Sequence, residues 1–255
     1  MKTRLEKLGI TEEQIHIFDE IDSTNLAAVR RAKERASRGT EIFLARSQSA
    51  GRGRLGRSFV SQTSAGVYLS ILIPKESYSA NSLTAHTAAA LAMTLDSSLG
   101  TKTQIKWVND IYLSGKKLAG ILVEAVTSTD GKITDFVIGM GINVYKNAIT
   151  DEISDIATSL EDCGFSVKSI DCLAYEIAVG FIERVLLRLD PKSLLSEYKK
   201  RSLIDGQAIE VMPVGHEPYE ALAIGINDDF TLKIALPDGK TASLSSGEVK
   251  TRIKR

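Results

Sequence analysis

The sequence predicts an α+β fold, a mixed β-sheet packed with helices, followed by a small β barrel at the C-terminal end. Three observations carry that prediction. The 255 residues exceed the soft figure of about 150 per domain, which favours one large domain with a small companion. Helical and strand-like segments are interspersed over residues 1–205, with no internal repeat. After Asp205-Gly206 the texture changes to short strands separated by turns, so the second domain is expected over residues 206–255.

Taken in order, the first clear helix starts at Ser23, whose hydroxyl suits an N-cap, and runs through NLAAVRRAKERA to a stop at Gly39. EIFLA, Glu41 to Ala45, is a short strand. Arg46 to Gly66 shows neither period and is rich in Gly, Ser and Arg, which marks a long loop of the kind that carries function. Gly66 to Ile73 alternates and predicts a strand, whereas Leu83 to Leu99 has helical spacing but is apolar on nearly every side, as a buried central helix would be. Four strands follow, QIKW, DIYL, KLAGILVEAV and TDFVIGMGIN, the last two joined by a hairpin at Asp130-Gly131. Ile170, Leu173, Ile177, Phe181, Val185 and Leu189 make a helical stripe that stops before Pro191, and a shorter helix spans Ser193 to Arg201. QAIEVMP, YEALAIGI, FTLKIAL and KTASLS form the terminal β unit.

Composition narrows the function classes. With 43% hydrophobic and 25% charged residues the chain can build a core, which excludes collagen-like and disordered proteins. Its 32 basic residues balance 32 acidic ones, so a globally basic nucleic-acid binder is disfavoured. The apolar runs fall short of the roughly 20 residues that cross a bilayer. The N-terminal MKTRLEKLGITEEQ carries charge where a signal peptide needs an apolar stretch, so a cytoplasmic protein without membrane contact is expected. Cys163 and Cys172 form no CxxC and read as small apolar residues. His16, His86 and His216 show no ligand spacing, so no protein-held metal site is expected.

The most conspicuous string is Gly51 to Arg57, GRGRLGR. It fits the GxGxxG dinucleotide pattern literally, and Glu76 supplies a downstream acid, but the string leads into a strand instead of opening a helix. No GK[ST] follows, which excludes a Walker A loop. What remains is a loop with Arg46, Arg52, Arg54 and Arg57 and no acid before Lys75. Glycines let backbone N–H groups approach an anion and guanidinium groups grip phosphate oxygens, so a polyphosphate or acyl phosphate is the natural guest. Alone, the string reads equally well as a solvated basic loop.

Four strings in order decide the matter: DSTN at Asp22 to Asn25; Gln48 with the GRGRLGR loop; KWVNDIYLSGKKLAGILVE at Lys106 to Glu124; and GMGIN at Gly139 to Asn143. Together they resemble biotin protein ligases, whose hallmarks are an STN at a helix start, QxxGRGRxGR, KWPNDI with GKKLAGIL(V/I)E, and GxGIN. The resemblance implies an SH3-like C-terminal barrel and an ATP-dependent ligase acting in two half-reactions. Biotin and MgATP give biotinyl-5′-AMP, and biotin then passes to a lysine of a biotin carboxyl carrier protein. It implies Lys117, Arg52 and Arg54 as the catalytic set. Biotin is expected to contact Ser23, Thr24, Asn25, Gln48, Gly51, Arg52, Gly53, Arg54, Lys117 and Gly120. ATP is expected at Arg52, Arg54, Arg57, Asn109, Asp110, Lys117 and Asn143, with Mg2+ alongside it.

Each residue also has a plainer reading. Ser23 is a helix cap, Gln48 a surface loop residue, Gly120 a packing glycine, and Asn109 and Asp110 turn formers. Alternation sends Lys116 and Lys117 to opposite faces and does not say which enters the site; the resemblance selects Lys117. Two departures stand out. Val108 occupies the proline position of KWPND, which returns an N–H and frees φ. Phe59 occupies a common tryptophan position, with the loss of an indole donor.

Some family members carry an N-terminal helix-turn-helix domain and repress biotin genes. Only about 20 residues precede DSTN, so the form without that domain, and without specific DNA binding, is expected. The rival reading, a DNA-binding regulator that senses biotin or its adenylate, is supported only by the basic tail Lys250, Arg252, Lys254 and Arg255, which also reads as a solvated end. A lipoate or octanoate ligase is disfavoured by GRGRLGR and KKLAGILVE. Exposed strands could serve either a homodimer or docking of the carrier.

Overall fold

A computed structural model of the chain describes residues 2–34, 39–75, 78–187, 191–213, 216–245 and 247–251. A short helix, α1 (Lys2–Lys7), leads into β1 (Ile15–Ile21), α2 (Thr24–Glu34), β2 (Glu41–Gln48) and β3 (Gly66–Pro74). Then come α3 (Ala80–Leu99), β4 (Gln104–Lys106), β5 (Asp110–Leu113), β6 (Lys116–Thr127) and β7 (Ile133–Asn143). After a stretch of turns, α4 (Ile170–Phe181) and α5 (Pro191–Lys200) complete the helices. The C-terminal strands are β8 (Ala208–Met212), β9 (Tyr219–Ile226), β10 (Leu232–Ala235), β11 (Thr241–Leu244) and β12 (Glu248–Thr251).

The first seven strands form one sheet in the order β1-β2-β3-β7-β6-β5-β4. Only β1 and β2 run parallel; every other neighbour is antiparallel, so the sheet is mixed as expected. β3 is buried along all but its last residue, which explains its near-continuous apolar run. The predicted central helix is α3. Ser79 caps it by accepting from the Ser82 N–H, and Gly100 ends it at φ 72, a left-handed conformation that glycine adopts without penalty. Leu83, Ala88, Leu91 and Leu95 are fully or nearly fully buried.

The last five strands form an antiparallel sheet in the order β11-β10-β9-β8-β12. Among the described residues β11 and β12 do not pair with each other, so the expected SH3-like unit is present as a sheet that does not close into a barrel. It is joined to the larger sheet by one continuous core that includes Ile209, Leu232 and Ile234. Trp107 Nε1 donates to the Phe230 carbonyl at 3.0 Å, and the Phe230 ring meets His86 and Tyr198 edge-on. An indole buried this way needs such a partner for its N–H.

The differences from expectation have local causes. α1, β1 and β12 were not anticipated: β1 lies at a sheet edge with Ile17 two-thirds exposed, so its apolar residues do not alternate cleanly. β2 runs on to Gln48 and takes the first residues of the predicted loop. α5 begins at Pro191 instead of Ser193, because proline suits a first helical position. The stripe ending at Leu189 is α4 followed by a π-helical turn, Ile182–Leu186. Leu189 itself, and Arg35 and Ala36 of the first predicted helix, lie outside the described residues, as do Glu76, Arg252, Lys254 and Arg255. Among the described residues no helix is long and apolar enough to cross a membrane.

Candidate active site

The site is built on one face of the larger sheet, where two cross-strand rows lack bulk. One row runs Tyr68 on β3, Gly141 on β7, Gly120 on β6, Asp110 on β5 and Lys106 on β4. The other runs Ser70, Gly139 and Leu122. Directly opposed residues share a face, so the glycines leave a trough in the sheet. The trough is used at close quarters. A Cβ at Gly139 would collide with the Asn25 amide, and one at Gly141 would lie 2.6 Å from the Phe59 ring.

The N-terminus of α2 and the segment 49–65 roof the trough. Ser23, Thr24 and Asn25 are all nearly buried. The Thr24 N–H donates to Gln48 Oε1 at 2.8 Å, and Thr24 Oγ1 donates to the same atom at 3.2 Å. Ser70 Oγ donates to Asn25 Oδ1 at 2.6 Å. Asn25 Nδ2 donates to Glu124 Oε2 at 2.8 Å. On the loop side, Gln48 Nε2 donates to Ser61 Oγ at 2.8 Å, and Ser61 Oγ donates to the Phe59 carbonyl. Gly51 is needed here because a Cβ would strike that carbonyl. The result is a pocket of about 60 Å3, small because the Phe59 ring sits in it. Hydroxyls, amides and glycines line it, beside Arg52, Arg54 and Lys117.

Lys117 reaches this face through a β-bulge. Ser114 and Gly115, at φ 51 and 80, turn β5 back into β6. Tyr112 then opposes Lys117, but Ile111 opposes Ala119, which leaves Leu118 as an extra residue on β6. Strict alternation back from Gly120 would give this face to Leu118 and Lys116. The bulge resets the count, buries Leu118 completely and puts Lys117 beside Gly120 and Asp110. Lys117 Nζ lies 2.8 Å from Asp110 Oδ1. Asn109 Nδ2 donates to that same oxygen at 2.9 Å, and Arg54 donates from the loop to Asn109 Oδ1 at 2.8 Å. Lys116 points away, with its Nζ 2.6 Å from the Ser154 carbonyl.

A second, larger cleft of about 470 Å3 adjoins the pocket and shares Gly53, Arg54, Phe59, Asn109 and Lys117 with it. It is also lined by Arg57, Lys106, Asp110, Tyr112 and Asn143, and by Ile153, Ile156 and Ala157. Basic side chains therefore outnumber the single acid on its walls. Burial, together with the Asp110 charge, raises the Tyr112 phenol above its ordinary pKa, so it stays a neutral donor. Asn143 Nδ2 donates to the Thr158 carbonyl at 3.1 Å, which ties β7 to the wall segment that follows Ile156. Among the described residues no group of three or more His, Cys, Asp or Glu side chains gathers that could cage a metal ion.

Most of the expected residues thus converge. Ser23, Thr24, Asn25, Gln48, Arg52, Gly53, Arg54, Lys117 and Gly120 line the smaller pocket; Arg57, Asp110 and Asn143 line the cleft. Gly51 lies in the roof. Arg52 lines the pocket but not the cleft and pairs with Glu124 at 3.1 Å. Arg46, grouped with the loop arginines in the sequence, is on β2 and pairs with Asp19 at 3.3 Å. Several residues had no assigned role: Ser70, Glu124, Ile156, and Gly247, Val249 and Lys250 of the C-terminal sheet, which reach the cleft rim. Glu124 lay inside a quoted string, and Ser70 broke an apolar strand. Ile156, two-thirds exposed, left no signal in the sequence.

Comparison with known proteins places this architecture. A family model described as the biotin/lipoate A/B protein ligase family matches residues 17–143. The chain is 36% identical over 185 residues to the bifunctional ligase/repressor BirA of Bacillus subtilis, covering 71% of this chain but only 54% of that protein. It is 35% identical over 246 residues to the protein of the same name from Salmonella typhimurium, covering 93% of this chain and 74% of that one. The solved structure of the Aquifex aeolicus biotin protein ligase in complex with biotin and ATP superimposes with a TM-score of 0.77 at 27% identity, covering 93% of this chain and 98% of that one. With the smaller pocket and all four strings inside residues 17–143, and a 35% identical relative covered to 74% of its length, the chain belongs to the biotin/lipoate A/B protein ligase family.

Proposed function

We propose that this chain is a biotin–protein ligase that makes biotinyl-5′-AMP from biotin and ATP and passes the biotinyl group to a lysine of a biotin carboxyl carrier protein. One observation carries the reading: the Lys117 ammonium stands where a small pocket, with hydroxyls and amides at the helix end and cations at the loop end, meets a large cationic cleft. A neutral ureido ring needs partners that both donate and accept, and Ser23, Thr24, Asn25 and Gln48 offer such groups. An anionic nucleotide needs the cations of the cleft. At the junction a carboxylate oxygen attacks the α-phosphorus, the acyl–phosphate bond forms and pyrophosphate leaves. Lys117 offsets the repulsion between the two anions and the charge that builds at phosphorus, with Arg54 beside it. The carrier's lysine amine then attacks the acyl carbon; an amide forms, and AMP and a proton are released.

Asn109 and Asp110 present an amide and a carboxylate to the cleft, a donor set that fits Mg2+, which prefers one or two carboxylates plus phosphate oxygens. Bound there with the nucleotide, the ion would neutralise phosphate charge. In this reading residues 1–205 form the catalytic unit, residues 206–255 close the cleft rim, and the protein works in the cytoplasm, where ATP and the carrier are made.

The test is pyrophosphate exchange into ATP without carrier. Biotin should support it and lipoate should not; exchange with lipoate alone would reassign the substrate. Adding a carrier domain should then give one biotinyl group per carrier by mass spectrometry.

A further inference from the structure

Each oxygen of the Glu124 carboxylate serves a different part of the roof. Oε2 accepts from Asn25 Nδ2 at 2.8 Å, and Oε1 lies 3.1 Å from a guanidinium nitrogen of Arg52. Asn25 is thereby committed on both ends of its amide, since Ser70 donates to its Oδ1 and Glu124 accepts from its Nδ2. That fixes which way the amide faces beside the pocket. Arg52 lies on segment 49–65, whose cations otherwise turn toward the cleft: Arg54 and Arg57 line it and Arg52 does not. Glu124 is anchored on β6 opposite Val137 of β7, in the rigid part of the sheet.

We propose that Glu124 is a positioning residue for the ligase reaction. Its carboxylate orients Asn25 and, through Arg52, holds the loop shut over the pocket, so that it governs how long the acyl adenylate is kept more than how fast it is made. The proposal rests on the ligase reading above. It gives the loop two separate attachments: Arg54 bonds Asn109 at the junction, and Arg52 meets Glu124 over the pocket. The adenylate's acyl–phosphate bond is open to water, which would return free biotin and AMP, so a loop that opens more often loses intermediate to solvent. The Arg52 side chain is 43% exposed and the Glu124 side chain 22%, so the pair is partly screened and its loss should open the loop by a modest factor, about three- to fivefold.

The test compares E124Q with E124A in the full chain. Gln keeps an acceptor for Asn25 and loses the charge that holds Arg52; Ala loses both. In E124Q, free biotinyl-AMP and carrier-independent ATP consumption should rise about three- to fivefold, while pyrophosphate exchange and the KM for biotin change far less. E124A should show the same leak and also a raised KM for biotin. The double variant R52Q/E124Q should leak no more than E124Q, because both substitutions open the same latch. Trypsin cleavage after Arg54 or Arg57, which needs no activity, should be faster in E124Q by a similar factor. A wild-type rate of leak and of cleavage in E124Q would overturn the latch. Loss of biotin-dependent exchange in the unsubstituted protein would overturn the ligase reading instead, and leave the cleavage comparison standing.

Discussion

The floor and the roof of the pocket bound the same space but are held by different forces. The floor belongs to β3, β5, β6 and β7, where backbone ladders hold the strands, and three glycines in two adjacent rows remove side chains from the trough. The roof, beside the N-terminus of α2, is segment 49–65. It is held by a narrow backbone hairpin, with the Gly53 N–H donating to the Arg57 carbonyl at 2.7 Å and the Phe59 N–H to Gly51 at 2.9 Å. A few side-chain ties add to it: Gln48 to Ser61, Arg52 to Glu124 and Arg54 to Asn109. The difference is one of stiffness. Lys117 on the floor is a charge that cannot retreat, suited to steadying charge at a reacting centre. The arginines on the roof are charges carried by a loop with few ties, so in the proposed reaction they reach the pocket and the junction only while that loop is closed.

The sharpest test of that division is Lys117→Ala beside Lys116→Ala. Removing the fixed ammonium should slow pyrophosphate exchange by about 100- to 1,000-fold, or about 2.7–4 kcal/mol, by analogy with loss of an oxyanion donor. Lys116 faces solvent near Ser154, so its loss should change the rate less than about twofold. Equal losses would mean that the bulge does not decide which lysine works.

Gly139→Ala strikes the floor without touching a charge. The added Cβ would displace the Asn25 amide, an overpacking cost of about 1–3 kcal/mol. The KM for biotin should rise about tenfold or more, with kcat affected less. Thermal melting alongside the kinetics separates a misplaced amide from an unfolded protein.

On the roof, Arg54→Gly removes one guanidinium and adds backbone freedom, so the closed loop should be less populated. Exchange should survive in part while biotinyl-AMP escapes about fivefold faster, on the order of the 1 kcal/mol that one hydrogen bond is worth. Excess ATP consumption and stray labelling of unrelated lysines would report it. Complete loss of exchange with no escaping adenylate would move Arg54 from roof to floor in its chemistry.

The smallest expected effect lies at the roof's outer edge. The Arg30 guanidinium, bonded to Asp22, and then the Ser23 N–H hold the Asp22 carboxyl below its ordinary pKa of 3.8. A depressed carboxyl stabilises the fold above that ordinary value, and the benefit is lost as pH falls through its folded value. Asp22→Asn should therefore lower stability near neutral pH, by less than about 0.5 kcal/mol because the pair is exposed, and the gap should close as the pH falls below the carboxyl's depressed folded value.

Much of this was legible beforehand because it is local. Glycines that allow close approach, the STN at a helix start and the clustered arginines are written in neighbouring residues, and β3 and α3 announce themselves by continuous apolar runs. Arg46 was misjudged for the complementary reason. Its neighbours in sequence are loop residues, but Asp19, its partner in space, is on β1. The basic tail read as a solvated end, whereas Lys250 reaches the cleft rim because β12 pairs with β8.

The sequence by itself determined the class of the fold, the family and nearly all of the polar residues around the two pockets, since each rests on residue type and short-range spacing. The resemblance had already selected Lys117, but only the tertiary structure gave the physical reason why it, and not Lys116, enters the site, and only it brought Glu124 to Asn25 and Arg52. Both depend on pairings between strands and segments far apart in the chain. One extra residue at Leu118, invisible to period-two counting, turns Lys117 inward. Glu124 meets Asn25, 99 residues away along the chain, because the sheet beneath α2 brings them within hydrogen-bonding distance.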